Sequence, residues 1–116
     1  MATNHHRNVL SATTIIGDKV YNSSKEHLGK IEELMIDLEK GQISYAVLSF
    51  EGVLGLGDKF FAIPWKTLTV DQDEKCVILN VDKEKFKNAP GFDKDHWPDT
   101  TPEFLQSINT YYNIER

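Results

Sequence analysis

Ile43-Ser44-Tyr45-Ala46-Val47-Leu48-Ser49-Phe50, then Glu51-Gly52-Val53-Leu54-Gly55-Leu56-Gly57-Asp58, then Lys59-Phe60-Phe61-Ala62-Ile63-Pro64-Trp65: the reading of this stretch decides the fold. In the first eight residues Ile43, Tyr45 and Val47 face one side and Ala46, Leu48 and Phe50 the other, as the two-residue period of a strand requires. Both sets are apolar. A strand with a wet face would alternate in polarity, so this one is expected to be central and covered on both sides. Phe60 to Ile63 reads as a second apolar strand, ended by Pro64, which has no N–H for a ladder. Gly52, Gly55 and Gly57 supply the backbone freedom for a sharp connection between the two.

Gly55-Leu56-Gly57-Asp58-Lys59 invites a phosphate-loop reading, but its details do not fit one. No Ser or Thr follows Lys59, the spacing is not that of a Walker loop, and there is no GxGxxG. A strand follows it, where a phosphate site needs the N–H groups of a helix N-terminus.

Upstream, Lys30 to Leu38 carries two periods at once. Ile31, Leu34, Met35 and Leu38 have helical spacing, while Leu34, Ile36 and Leu38 alternate as in a strand. Glu, Leu, Met and Lys favour a helix. Gly29 is a poor N-cap, and Asp37-Leu38-Glu39-Lys40-Gly41 reads as a tight turn with Gly41 in a left-handed conformation. A strand is chosen, with a bulge near Glu32-Glu33 to shift its phase. Val9 to Asn22 reads as a broken strand pair, Ile15-Ile16 and Val20-Tyr21, divided by Gly17-Asp18. Asn22 to His27 is a polar turn. Residues 1–8, with His5 and His6, form a polar tail expected to be flexible.

Downstream, Leu68 to Val70 and Cys76 to Val81 flank a polar turn and form a hairpin. Asp82 is placed to cap a short helical turn through Phe86, and Ala89 to Pro98 reads as irregular. A helix is predicted over about 102–113. Either Thr101 caps it with Pro102 at the first position, or Thr100 and Glu103 form a capping box. Phe104, Leu105, Ile108, Tyr111 and Tyr112 share one face. Docking onto the chain's own barrel is the favoured reading of that stripe, and contact with a partner the alternative.

The bulk numbers exclude several function classes. At 116 residues there is room for one domain. A formal net charge of −5, with no Lys/Arg run beyond two, lacks the footprint of a direct nucleic-acid binder and disfavours anionic membranes. No apolar stretch is long enough to span a membrane, and a cytoplasmic location is expected. Cys76 has no partner for an internal disulfide and reads as a small buried hydrophobe.

No nucleophile–base pattern stands out, so no enzyme activity and no cofactor are expected. Asp93, Asp95, His96 and Asp99 form an acidic cluster with one imidazole. A solvated loop before a helix N-terminus explains it most simply, and a divalent-metal site is the weaker alternative. Trp65 is assigned to the core. Trp97 reads equally as core or interface.

The order Gly17-Asp18-Lys19-Val20-Tyr21-Asn22, Leu28-Gly29-Lys30-Ile31-Glu32-Glu33-Leu34, Asp37 through Gly41, Ile43 through Phe50 and Gly55 through Trp65 resembles a PRC-barrel domain from about Leu10 to Val81. Lys87-Asn88-Ala89-Pro90-Gly91-Phe92-Asp93, with Trp97-Pro98 and Tyr111-Tyr112, is similar to the stand-alone bacterial or archaeal members, mostly of unknown function. The resemblance implies a mainly β fold: a small, strongly bent β-barrel over residues 9–86, then a C-terminal extension, 87–116, with a short helix. It also favours strand over helix for Lys30 to Leu38. Relatives include the cytoplasmic part of the photosynthetic reaction centre H subunit and the C-terminal part of a ribosome-maturation factor, where the domain serves docking and assembly.

The expected function is therefore a non-enzymatic adaptor that self-associates, a dimer being favoured, and that contacts an unidentified protein partner. A barrel this small needs few apolar residues inside, so Val53, Leu54 and Leu56, with Trp97, Tyr111 and Tyr112, are the candidate interface residues. A regulatory domain for a small ligand or divalent metal, and a ribosome- or RNA-processing-associated factor, are the alternatives.

Overall fold

The computed structural model describes residues 8–50, 59–93 and 95–112. Among them, one seven-stranded sheet runs in the order β5-β6-β1-β2-β3-β4-β7. The strands are β1 (Lys19–Tyr21), β2 (His27–Asp37), β3 (Gln42–Ser49), β4 (Lys59–Pro64), β5 (Leu68–Asp71), β6 (Cys76–Leu79) and β7 (Phe92–Asp93). Every pairing is antiparallel except that of β1 with β6. Helices α1 (Ala12–Ile15), α2 (Lys83–Lys87) and α3 (Pro102–Tyr111) and a 3-10 turn at Trp65–Thr67 complete the chain.

The sheet is strongly bent. Leu68 of β5 and Val77 and Leu79 of β6, at one end of the strand order, share a core with Phe61 and Ile63 of β4 near the other. A flat sheet could not bring those strands together. The hydrogen-bonded series stays open, with β5 and β7 as its edges.

The doubly apolar reading of β3 holds. Ala46, Leu48 and Phe50 belong to the inner core with Val20, Ile31 and Phe86. Tyr45 and Val47 belong to a second, outer core with Ala62 and Ile108. Each fully buried Val, Leu, Ile or Phe side chain among them contributes roughly 1.5–3 kcal/mol. β4 lies beside β3 with Leu48 opposite Phe61 and Ala46 opposite Ile63, so both strands feed the same two cores.

β2 is a strand, and its register slips between Ile31 and Glu33, where the bulge is expected. The slip accounts for the mixed periodicity. Ile31 and Leu34 both pack on the inner core. In a regular strand residues three apart face opposite ways, and the extra residue of a bulge restores the match. A second slip follows Met35. Beyond it, Ile36 and Leu38 are 59% and 90% exposed.

Gly29 sits where β2 turns from β3 onto β1. A Cβ there would lie 1.9 Å from the Ser49 carbonyl oxygen, and φ is +155°. Only glycine permits that approach. The β2–β3 and β5–β6 turns share one device. Asp37 Oδ1 accepts the N–H groups of Glu39 and Lys40, and Asp71 Oδ1 those of Asp73 and Glu74. Four residues after each Asp the chain turns left-handed, at Gly41 and at Lys75.

Several expectations are corrected. Ile15-Ile16 is no strand: Ala12–Ile15 is one helical turn. Thr14 N–H donates to Ser11 O and Ile16 N–H to Ala12 O, and Ile15 is buried in the inner core. Gly17 N–H then donates to Ile31 O, which docks the turn on β2. Tertiary burial has overridden the β propensity of isoleucine. Phe92–Asp93, read as irregular, adds a short strand to β4. Asp82 stands at the N-cap of α2, but its side chain makes no capping bond.

Candidate functional site

β7 pairs Asp93 with Lys59 and Phe92 with Phe60 at the start of β4. Gly91 makes this approach possible, since a Cβ there would come within 2.9 Å of the Phe60 carbonyl oxygen and the Phe61 ring. The pairing sets Phe60 and Phe92 edge to face at 6.1 Å. Trp97 returns onto both rings, at 6.0 Å from Phe60 and 5.3 Å from Phe92. Edge and tilted contacts of this kind are favourable beyond the area they bury. Trp97 is nevertheless 40% exposed. A fixed aromatic residue therefore stands at the open edge of the sheet.

Polar groups frame it. Lys59 Nζ lies 3.7 Å from Asp93 Oδ1, and His96 Nδ1 lies 3.8 Å from Asp93 Oδ2. The His96 N–H donates to Asp93 O, which tightens the turn leading to Trp97. Asp95 and Asp99 are exposed. Among the described residues, no group of three or more His, Cys, Asp or Glu is placed to hold a metal. Asp93 is occupied with Lys59 and His96.

Helix α3 covers the outer face beside this edge. Thr101 Oγ1 accepts the Phe104 N–H and Pro102 opens the helix. Thr100 is not the cap, because its hydroxyl bonds the Tyr45 hydroxyl at 2.9 Å. Phe104, Leu105 and Ile108 pack on the outer core. Tyr111 and Tyr112 reach round to the inner one. The apolar stripe thus serves the chain's own cores. Tyr112, expected at an interface, is 6% exposed and unavailable to a partner of the folded chain. Tyr111 is half-buried and donates to the Lys85 carbonyl at 2.6 Å. Trp65 is half-buried and packs on the inner core.

Val53, Leu54 and Leu56, with His5 and His6, lie outside the described residues. Sequence reasoning missed Phe60 and Phe92 as partners of Trp97, since their meeting depends on a two-residue strand with no periodic signal. It also missed the exposed tip formed by Ile36 and Leu38, whose facing is set by the second slip of β2.

Cys76 is buried. Burial first, and then the carboxylates of Asp71, Glu74 and Asp18, push its thiol up, so it stays protonated and unreactive at neutral pH. No helix among the described residues is long and apolar enough to cross a membrane.

A model of the PRC-barrel domain matches residues 7–86, more than half of the chain. The chain belongs to the PRC-barrel domain family. The matched segment holds β1 to β6 and nearly all of α2. β7, Trp97 and α3 lie beyond it, so the exposed tryptophan and the cover of the outer face come from the segment that follows the match, while Phe60 comes from within it. No curated protein matches the chain. Among solved structures, one described as a 16S ribosomal RNA processing protein, RimM, from Pseudomonas aeruginosa is similar at 16% identity with a TM-score of 0.44. The likeness covers 72% of this chain and 50% of that one, so this PRC-barrel chain spans about half its length.

Proposed function

We propose that this PRC-barrel protein is a non-enzymatic docking module that self-associates, as a dimer, and engages a protein partner through the edge formed by Phe60, Phe92 and Trp97. The observation that carries the reading is the exposure of Trp97 together with its fixation by two ring contacts. Tryptophan is enriched among the residues that dominate binding energy. One already held in place loses little side-chain freedom on binding. A stable interface buries about 800 Å² per partner, more than one indole supplies. Val53, Leu54 and Leu56 precede Lys59 and Phe60 in the chain and are proposed as part of the same surface. The formal charge of −5 supports a protein partner over direct nucleic-acid contact, and a cytoplasmic setting accords with the lone free thiol.

Sedimentation equilibrium of the wild-type chain and Trp97→Ala tests this. The wild type is expected to fit a monomer–dimer equilibrium, and the variant to weaken it at least about tenfold, the effect of losing a central aromatic anchor. A wild-type monomer at the highest soluble concentration, or an unchanged constant in the variant, would contradict the reading.

A further inference from the structure

Strand β2 outruns its neighbour. It has 11 residues against 3 in β1, and β1 pairs with only His27, Gly29 and Lys30 of it. The last backbone bonds on that side join Ile31 to Gly17 and Asp18. Beyond Ile31, no described residue pairs with β2 on the side away from β3. Glu32 to Asp37 is therefore an open margin within the strand order, longer than the edge strands β5, of 4 residues, and β7, of 2. We propose that this margin takes up an extended, basic segment of a partner protein as an added strand.

The backbone supplies the attachment. An antiparallel neighbour such as β3 uses the N–H and C=O groups of alternate residues, and those between them point the other way. Along Glu32 to Asp37 the outward groups are a ready template for a further strand. Strand addition of this kind is a recurrent mode of peptide recognition, in which main-chain bonds bind and side chains select. The margin is already ordered by its pairing with β3, from Lys30 opposite Ser49 to Asp37 opposite Gln42. A partner is spared the cost of ordering it.

The side chains choose the occupant. From Glu32 to Lys40 the chain carries the carboxylates of Glu32, Glu33, Asp37 and Glu39 against the single ammonium of Lys40. Glu33 and Glu39 are exposed, and Glu32 and Asp37 half-buried. Two copies of this margin would set like charges against each other, which is unfavourable across a strand pair. The carboxylates thus keep the edge from pairing with its own kind, and they favour Lys or Arg on an incoming strand. Ile36 and Leu38, 59% and 90% exposed, add apolar contact at the far end. The fold leaves these two uncovered, whereas Ile31 and Leu34 of the same strand pack on the inner core. A strand that alternates basic and apolar residues matches both features. The margin shares no residue with the Phe60–Phe92–Trp97 edge, so the two surfaces can be tested apart.

The test is a proton–nitrogen NMR titration of the full chain with end-blocked peptides. The probe is Lys-Val-Lys-Val-Lys-Val. Its controls are Glu-Val-Glu-Val-Glu-Val and a form of the probe N-methylated at its two central residues, which removes one donor from each edge and keeps the charge. Saturable shifts centred on the amides of Glu32 to Leu38 are expected for the probe, with a dissociation constant at or below about 1 mM. The N-methylated form is expected to bind at least about threefold more weakly, the effect of one lost hydrogen bond, and the Glu-Val peptide not to saturate. Glu32→Gln combined with Glu33→Gln is expected to weaken the probe by about threefold or more, the effect of two cross-strand charge pairs. Failure of the probe to saturate, equal binding of either control, or an unchanged constant in the double variant would overturn the proposal. So would shifts of the same amides on diluting the protein alone, which would assign the margin to a second copy of the chain.

Discussion

Tyr111 and Tyr112 are neighbours whose hydroxyls have opposite surroundings. That of Tyr111 donates to a backbone carbonyl, while that of Tyr112 is buried without a partner among the described residues. Burial, and secondarily Tyr111, push the Tyr112 phenol above its usual range, so it is neutral at neutral pH. Tyr111→Phe should cost about 1 kcal/mol, and Tyr112→Phe should be neutral or stabilising by up to about 1 kcal/mol. Urea unfolding of the two variants checks the contrast, and equal losses would contradict it. Asp18 supplies a pH dependence. Burial raises its carboxyl pKa, so the folded state holds that proton more tightly than the unfolded chain does. Its contribution is fully present below the ordinary carboxylate value and is lost as pH rises through the raised one. Asp18→Asn should remove this decline, read as a flatter melting temperature against pH on the acid side. An unchanged profile would count against burial as the cause.

At the scale of elements, two backbone positions decide how strands meet. Gly29→Ala would drive a Cβ into the Ser49 carbonyl and should cost on the order of 3 kcal/mol or more. Lys75 holds φ at +57° where the equivalent turn after β2 has Gly41. Lys75→Gly should therefore stabilise by about 1 kcal/mol, the strain of a left-handed side-chain-bearing residue less the entropy glycine costs the unfolded chain. Thermal unfolding measures both, and a destabilising Lys75→Gly would mean the strain is absent. These positions also mark what was legible in the sequence. The β2 bulge, the Asp37 to Gly41 turn, the β5–β6 hairpin and the Thr101 cap are written locally, by a phase shift, a turn residue or a capping residue. Ile15 in a helical turn, the β7 strand and the Phe60–Phe92–Trp97 contact depend on what the rest of the chain packs against them. Local pattern carries no such information.

At the scale of the whole molecule, the strand order wraps one bent sheet around an inner core and leaves the outer face of β3 and β4 apolar. Helix α3 covers part of that face, and β7 with Trp97 borders the rest. The family match stops at residue 86, before all three. The segment beyond the match thus both completes the fold and presents its exposed tryptophan. Hydroxyl-radical footprinting of Trp97 over a dilution series tests the central claim most directly, with half-buried Trp65 as the internal reference. The account predicts that Trp97 is oxidised freely in dilute protein and becomes several-fold protected as concentration rises, while Trp65 does not change. Equal oxidation of Trp97 at every concentration would contradict it.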